Sequence, residues 1–120
     1  MSTQAILVHQ FGGPEVLELQ QLPTPQAAPG QAVVRIEYAG INFVDLYQRE
    51  GRYPGISLPW RLGLEGAGEI VDVAPGADFR LGERVAFTTG VQGGYASHLA
   101  VPLEHLVRVP DALPLAMPPR

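Results

Sequence analysis

The sequence contains no cysteine and no lysine, and each absence excludes a class of chemistry. Without cysteine the chain can have no disulfide framework, no thiolate metal ligand and no cysteine nucleophile. All eight basic residues are arginine, so neither a Schiff-base amine nor the lysine of a phosphate-binding loop is available. Metal and nucleotide chemistry would therefore have to rely on other side chains.

Long apolar runs and clustered positive charge are also missing. No apolar run approaches the ~20 residues that a membrane-spanning helix needs. The N-terminal residues 1–4 lack the basic start of a secretory signal. The formal net charge is -4 and the arginines are scattered, which argues against a nucleic-acid partner. We therefore expect a cytoplasmic protein that binds neither nucleic acid nor a membrane.

Glycine and proline are abundant, with 14 and 12 copies in 120 residues, which favours many short strands joined by turns. The length suits one domain with a modest core. The proline-bearing stretches 22–30 and 52–62 are predicted to be irregular connections, and 111–120 a linker. Apolar and β-branched residues predict seven short strands, at 5–9, 16–19, 31–39, 69–73, 84–89, 94–101 and 106–109.

One helix is predicted after the third strand. Asn42 is a favoured N-cap, and Asp45 would place a carboxylate at the positive end of the helix dipole. Gly51 supplies a stop at the other end. Three apolar side chains at helical spacing form one face: Phe43, Leu46 and Tyr47. With the strands, this pattern indicates a mainly β protein, either a barrel or a sandwich.

Glycines at positions 63, 66 and 68 invite interpretation as a phosphate-binding loop. Such a loop needs a strand before the glycines and a helix after them. Here residues 69–73 are rich in β-branched side chains and run into the turn 74–76. The glycines are therefore predicted to form a sharp bend that leads into a strand, which continues through a hairpin to 84–89.

Metal ligation by histidine is not indicated. His9, His98 and His105 show no short metal-ligand spacing. We interpret them as surface or barrel residues whose ring nitrogens are satisfied by neighbours.

Several segments together resemble the catalytic domain of the medium-chain dehydrogenase/reductases. They are 40–45 (Gly-Ile-Asn-Phe-Val-Asp), 63–68 (Gly-Leu-Glu-Gly-Ala-Gly) and 81–85 (Leu-Gly-Glu-Arg-Val). The stretch 12–17 and the Tyr53-Pro54 pair narrow the resemblance to the zinc-free quinone oxidoreductase branch. It implies a GroES-like, partly open β-barrel over residues 1–110 with one or two short helices. Residues 111–120 would then be a truncated linker towards a dinucleotide-binding Rossmann domain, which these 120 residues do not contain.

The resemblance also implies an activity: NADPH-dependent hydride transfer to a quinone or a related conjugated carbonyl. It places Asn42, Tyr47 and Tyr53 at the nicotinamide and substrate, with Asp45 and Glu65 in supporting positions. In the zinc-dependent relatives a cysteine and a histidine ligate the metal, where this chain has Asn42 and Leu64; Val44 replaces the proton-relaying hydroxyl. We therefore expect no zinc, because a leucine offers the metal no ligand atom.

Each implied site residue also has a purely structural interpretation. Asn42 could be only an N-cap, Tyr47 the edge of the helix face, and Tyr53 a loop anchor. Asp45 could be a helix-end carboxylate paired with an arginine, and Glu65 is expected to be structural. At the level of function, the alternatives are a domain of an enoyl or activated-alkene reductase, or a non-enzymatic β-barrel binding module. The chain alone is expected to be inactive, and to form a homodimer or associate with a Rossmann domain.

Overall fold

A computed structural model describes residues 2–87 and 92–110, and it is mainly β, as the sequence predicts. Single turns of 3₁₀-helix occupy Pro14–Val16 and Leu103–His105. Within the described residues no helix is long and apolar enough to cross a membrane. The elements in chain order are β1 (Ser2–Val8), β2 (Leu17–Pro23), β3 (Gln31–Ala39), α1 (Phe43–Glu50), β4 (Trp60–Arg61), β5 (Gly66–Val73), β6 (Arg84–Phe87), β7 (His98–Pro102) and β8 (Leu106–Arg108).

The strands form two antiparallel sheets that together make a curled, half-barrel shape. One sheet has the order β2-β1-β4 and the other β7-β3-β5-β6-β8. The segment before β7 joins them: Ser97 N–H donates to the Gln4 carbonyl at 2.8 Å, and Ile36 N–H donates to the Ser97 carbonyl at 2.9 Å. This arrangement confirms the predicted GroES-like, mainly β fold.

The core lies against the five-stranded sheet. In β6, buried Val85 and Phe87 alternate with half-buried Arg84 and Ala86, as expected for a strand with one face on the core. A smaller cluster around Val8 sits beside the three-stranded sheet. The main cluster consists of Ala32, Val34, Ile70, Val85, Phe87, Leu99, Val101 and Leu106.

Several predicted boundaries were wrong. The first strand, predicted at 5–9, is Ser2–Val8. The second strand runs to Pro23, two residues into the stretch 22–30 predicted as a connection, because it pairs with β1 along its whole length. The predicted loop 52–62 contains β4, which exists only through two long-range pairs with β1. The predicted strand 94–101 begins at His98, since the N–H groups of Gly93 and Gly94 donate to the Gly63 carbonyl instead of to a strand ladder. Residues 88 and 89 of the predicted returning strand lie outside the described residues, as does the predicted linker 111–120.

The prediction for the central glycines needs correction. Gly63, with φ of 107°, does form a bend, but Gly66 and Gly68 lie inside β5. Gly68 approaches β3 so closely that a Cβ there would overlap the Arg35 carbonyl oxygen. The glycine is therefore needed for strand contact, next to an irregularity in the β3–β5 register. Because two of these glycines lie in β5 and no helix follows Gly63, they do not form a phosphate-binding loop.

The helix forms where predicted, with Asn42 as N-cap and Gly51 as a left-handed C-cap at φ of 80°. Its buried side chains are polar, Asp45 and Gln48. Gln48 Oε1 accepts a hydrogen bond from Trp60 Nε1 at 3.1 Å. The apolar face is the exposed one: Phe43 is 81% exposed, Tyr47 47% and Leu46 39%.

Candidate functional site

The start of α1 is held by a buried carboxylate. Asp45 is only 5% exposed, and its Oδ2 accepts the backbone N–H of Asn42 at 3.0 Å. In return, the Asp45 N–H donates to the Asn42 carbonyl at 3.0 Å. The carboxylate therefore satisfies a free N–H at the helix start and complements the helix dipole.

Tyr95 is the second partner of this carboxylate. Its hydroxyl donates to Asp45 Oδ2, and the Gly40 carbonyl oxygen lies 3.2 Å from the same hydroxyl oxygen. Because a phenol has a single proton, the ionised carboxylate is the preferred acceptor. Burial raises the pKa of Tyr95, and the hydrogen bond and negative charge of Asp45 raise it further, with a smaller effect of Glu65. The phenol therefore remains a protonated donor.

Asp45 is the helix-end carboxylate of the structural alternative, but within the described residues it forms no ion pair with an arginine. Among the described residues the nearest arginine on the helix, Arg49, donates from Nε to the Gly12 carbonyl at 3.2 Å. The buried position of Asp45 favours the compact neutral phenol of Tyr95 over a second charge that would also need desolvation. Asp45 Oδ1 is buried and accepts no hydrogen bond from the described part of the chain.

Asn42 carries an unused donor. The residue is half-buried, and its Nδ2 is buried without a hydrogen-bond partner in the described ranges 2–87 and 92–110. An amide nitrogen left in this state lacks the compensation that buried polar groups normally find within the protein. Because this nitrogen is buried, a ligand carbonyl oxygen could accept its hydrogen bond only after the side chains that cover it move aside.

The other two predicted contact residues are exposed aromatics. Tyr47 lies on α1 and is 47% exposed, while Tyr53 follows the helix and is 45% exposed. The turn between them is fixed by the Arg52 N–H, which donates to the Tyr47 carbonyl at 2.8 Å. Within the described residues no hydrogen bond joins the side chains of Asn42, Tyr47 and Tyr53, so their convergence on one ligand stays a prediction.

Glu65 lies beside the segment that precedes the helix. Its carbonyl accepts the Gly40 N–H at 3.2 Å, and its side chain fills the space that a Cβ on Gly40 would need. It also borders a cavity of about 370 Å³ whose walls include Tyr38 and Phe87. This contact holds the segment 63–66 against Gly40, which precedes the helix; a purely structural role for Glu65 stays a prediction.

An apolar cavity of about 440 Å³ adjoins the Asp45–Tyr95 pair. Its polar wall groups are Asp45, Arg49 and Tyr95. The rest of the wall is mostly aliphatic, from Ile6, Leu17, Ile41, Leu46 and Leu62. A mostly apolar cleft with a few polar groups is the usual form of a small-molecule site.

Two of the three histidines have a polar side chain within hydrogen-bond distance. His9 Nε2 lies 2.7 Å from Gln20 Nε2, and His98 Nδ1 lies 3.2 Å from Thr3 Oγ1. Residues 2–87 and 92–110 contain no group of three or more His, Cys, Asp or Glu side chains that could hold a metal ion.

Comparison with known proteins identifies the domain. Residues 28–111 match the family described as the alcohol dehydrogenase GroES-like domain. The chain belongs to this family. The match includes α1, the Asp45–Tyr95 pair and all of the five-stranded sheet, so the site described above lies within the family domain.

Relatives of this GroES-like chain are reductases. It is 41% identical over 104 residues to a quinone oxidoreductase of Pseudomonas aeruginosa, covering 86% of this chain and 32% of the relative. It is 34% identical over 115 residues to a 2-haloacrylate reductase of Burkholderia sp, covering 92% and 34%. The Escherichia coli quinone oxidoreductase, solved in complex with NADPH, superposes with a TM-score of 0.88 at 34% identity, over 93% of this chain and 35% of that one. The chain thus spans about a third of the length of these relatives.

Tyr95 was missed by the sequence analysis, which placed it inside a strand. Its partner Asp45 lies 50 residues earlier, so no local pattern connects them. The glycine pair directly before Tyr95 was the available signal, because two consecutive glycines weaken a strand and favour a loop. A tyrosine at such a break can direct its hydroxyl away from the sheet.

Proposed function

We propose that this GroES-like chain provides the substrate-binding part of a zinc-free, NADPH-dependent quinone oxidoreductase, which transfers hydride from NADPH to a quinone. Relatives that bear the name quinone oxidoreductase, one of them solved with NADPH, support the proposal. The observation that carries it is the buried, unpartnered Nδ2 of Asn42, held at the start of α1 by the Asp45–Tyr95 pair.

The residues present fit the nicotinamide end of the cofactor. NADPH, when bound, supplies the hydride. The side-chain amide of Asn42 would donate an N–H to the carbonyl oxygen of the nicotinamide carboxamide or to an oxygen of the quinone. Tyr47 and Tyr53 offer exposed aromatic faces on which a flat ring can stack. The phosphates find no helix N-terminus at Gly63, Gly66 and Gly68, because the last two lie in β5, so Asn42, Tyr47 and Tyr53 would hold only one end of the dinucleotide.

Quinone reduction also fits a site without a metal. Oxidising an alcohol requires an alkoxide, which a Lewis acid such as zinc provides. Reducing a quinone produces a phenolate oxyanion that is already stabilised, so a few hydrogen-bond donors are enough to hold it. Asn42 would be such a donor, and Asp45 and Tyr95 would fix its backbone.

Zinc independence gives a direct prediction. In the zinc-dependent members of the family that the sequence resembles, a Cys and a His ligate the metal. This chain has Asn42 and Leu64 at those positions, so we expect no bound zinc after mild dialysis. Elemental analysis of the purified chain measures the metal. One zinc per chain would contradict the proposal.

A chimera tests the role of Asn42. The chain would be joined to the remaining two-thirds of the Pseudomonas aeruginosa relative and assayed for NADPH oxidation with a simple benzoquinone. Asn42→Ala should lower kcat/KM by about 10²-fold, the typical loss for one oxyanion donor. Tyr53→Phe should lower turnover more than it alters folding stability, since it removes one hydroxyl at an exposed loop. Gln26→Ala, which removes an exposed amide outside the site, is the matched control and should leave the rate unchanged. An Asn42→Ala chimera as active as the parent would refute the assignment.

A second candidate is the reduction of activated alkenes. The 2-haloacrylate reductase of Burkholderia sp favours it, because the same donor could hold the carboxylate or carbonyl of an acrylate. Comparing kcat/KM of the chimera for a benzoquinone and for 2-chloroacrylate separates the two. A chimera that binds NADPH but reduces neither class would favour a binding module.

A further inference from the structure

A separate cavity lies between the two sheets, away from α1. It measures about 390 Å³ and shares no wall residue with the cavity beside Asp45 and Tyr95. Leu22, Pro23 and Pro25 form its wall on one side, and Leu99 and Ala100 of β7 on the other. Its polar walls are Thr3 and Arg61, and no carboxylate of the described chain lines it.

Arg61 is an uncompensated cation in this cavity. The residue is partly buried, its Nε is buried, and within residues 2–87 and 92–110 it makes no hydrogen bond or ion pair through its side chain. Burial lowers the pKa of Arg61, with no acidic neighbour to oppose the effect. A guanidinium nevertheless stays protonated at neutral pH, so the charge must be tolerated or matched by a group outside the described residues.

The position of Arg61 is fixed by its surroundings. β4 pairs with β1, with Arg61 opposite Leu7. Gly93 packs beside the guanidinium, since a Cβ there would be in ordinary contact with Arg61 Nε at 3.4 Å. The Thr3 hydroxyl already donates to Thr24 Oγ1 at 3.3 Å and lies 3.2 Å from His98 Nδ1. Arg61 therefore carries the unused donors of the cavity wall.

We propose that this cavity is a binding site for a small carboxylate with an apolar body. A guanidinium presents parallel N–H donors that match the two oxygens of a carboxylate. The proline and leucine walls suit the apolar remainder of the ligand, and the volume is in the range of small-molecule sites. The site is independent of the proposed reductase activity, because it shares none of the residues assigned to it.

Benzoate is the probe. Titration of the 120-residue chain, followed by calorimetry and by amide chemical shifts, should give a Kd of about 0.1–1 mM. Shifts should centre on Leu99 and Ala100. Benzyl alcohol, which keeps the ring and lacks the charge, should bind about tenfold more weakly or worse, and inorganic phosphate likewise. If benzyl alcohol bound as tightly as benzoate, the Arg61 guanidinium would play no part in binding. If phosphate bound as tightly as benzoate, the site would be a general anion site. Either result overturns the proposal.

Arg61→Met tests the residue itself. It should weaken benzoate binding at least about tenfold, whereas Arg80→Met, on an exposed turn, should not change it. Without ligand, Arg61→Met should melt no lower than the parent, because it removes a buried unpaired charge and keeps a long side chain. Benzoate binding that survives Arg61→Met refutes the site. If that variant does not fold, the amide chemical-shift changes of the parent chain on adding benzoate provide the test. Changes centred away from β7 and β4 would also refute the site.

Discussion

At the scale of single residues, Tyr95 joins three segments that are far apart in the sequence. Its carbonyl accepts the Ile6 N–H at 2.9 Å, and its N–H donates to the Leu62 carbonyl at 3.0 Å. Its hydroxyl reaches Asp45 at the start of α1. Backbone bonds therefore hold the tyrosine on the barrel, while its side chain holds the helix that carries Asn42.

Removing this hydroxyl should destabilise the domain. Tyr95→Phe leaves the buried Asp45 carboxylate with one donor fewer, so the free energy of unfolding should fall by about 1–3 kcal/mol. Urea denaturation at neutral pH measures it. Tyr38→Phe is the matched control, since Tyr38 is 51% exposed and loss of its hydroxyl should change little. Equal stabilities of the Tyr95→Phe variant and the parent would show that the hydrogen bond contributes nothing net.

The same tyrosine predicts a pH dependence. Its pKa is raised in the folded state above the ordinary value of 10.0, chiefly by burial and then by Asp45. The folded state therefore holds this proton more tightly than the unfolded state. The corresponding stability is fully present below about pH 10 and is lost as the pH rises above it. The fall in unfolding free energy above that pH should be steeper for the parent than for Tyr95→Phe; parallel curves would contradict the assignment.

Asn42 and Tyr95 show what a sequence can reveal at this scale. The N-cap and the acidic residue three positions later follow a local helix-start pattern, so the role of Asp45 at the helix end was predictable. The Tyr95 contact depends on how the chain closes its sheets, and the unpartnered Asn42 Nδ2 depends on burial. Neither feature can be predicted from the spacing of residues in the sequence.

At the scale of elements, α1 is oriented with its apolar residues outward. Asp45 and Gln48 face inward because Tyr95 and Trp60 supply hydrogen-bond partners there. Phe43, at 81% exposed, and Ile41, at 86%, are left on the surface. Large apolar side chains exposed this close together in the sequence suggest an interaction face.

Self-association through this face is the expected consequence in the isolated chain. Phe43→Ser should weaken it by reducing the apolar surface, with little change in unfolding free energy, because the side chain is mostly exposed. Sedimentation velocity across a concentration series measures association. Val107→Ser, at a 63% exposed position on β8, is the control. Association that weakens equally in both variants would place the interface elsewhere.

The sheets depend on glycine as much as on apolar residues. Gly68→Ala should lower the free energy of unfolding by about 1–3 kcal/mol, because its Cβ would overlap the Arg35 carbonyl across the β3–β5 pair. Val71→Ala, on an exposed position of the same strand, should change stability far less. Thermal and urea denaturation measure both variants. If the Gly68→Ala domain were as stable as the Val71→Ala domain, β3 and β5 would be able to move apart without lowering the free energy of unfolding.

Strand prediction succeeded where local preference and pairing agree. β3 was predicted to the residue, Gln31–Ala39, because its β-branched run is flanked by Gly30 and Gly40. β4 was not predicted, since Trp60–Arg61 becomes a strand only by pairing with β1. Gly66 and Gly68 were predicted in a bend because glycine usually weakens strands; close packing of β3 on β5 reverses that preference.

At the scale of the whole molecule, we propose that the domain contributes one side of a site. The Asn42 amide, the two exposed tyrosines and the outward face of α1 belong to the same stretch, 41–53. The relatives are about three times as long as this chain, which covers 32% of the Pseudomonas aeruginosa enzyme. We therefore expect the reaction to need residues beyond these 120, supplied by a Rossmann domain that binds the dinucleotide.

The 120-residue chain alone should accordingly show no appreciable NADPH-dependent quinone reduction. Gly63 precedes β5 and Gly66 and Gly68 lie inside it, so these glycines offer no helix N-terminus to the dinucleotide phosphates. Contacts to the nicotinamide end must then offset an association cost of at least ~4 kcal/mol by themselves. Nothing in the described residues would press the nicotinamide against a quinone, so proximity would be lost even at saturating cofactor.

A steady-state assay with NADPH and a simple benzoquinone, corrected for the uncatalysed rate, tests this expectation. The chimera with the rest of the Pseudomonas aeruginosa relative is the positive control, and it separates a missing cofactor domain from a defective substrate site. Activity in the chimera but not in the chain would support the proposal that this domain binds the substrate and a Rossmann domain binds the dinucleotide, because only the chimera can hold both ends of NADPH. Turnover of the order of 1 s⁻¹ by the chain alone, which is within the ordinary range of enzymes, would refute it and would mean that residues 41–53 bind the cofactor unaided.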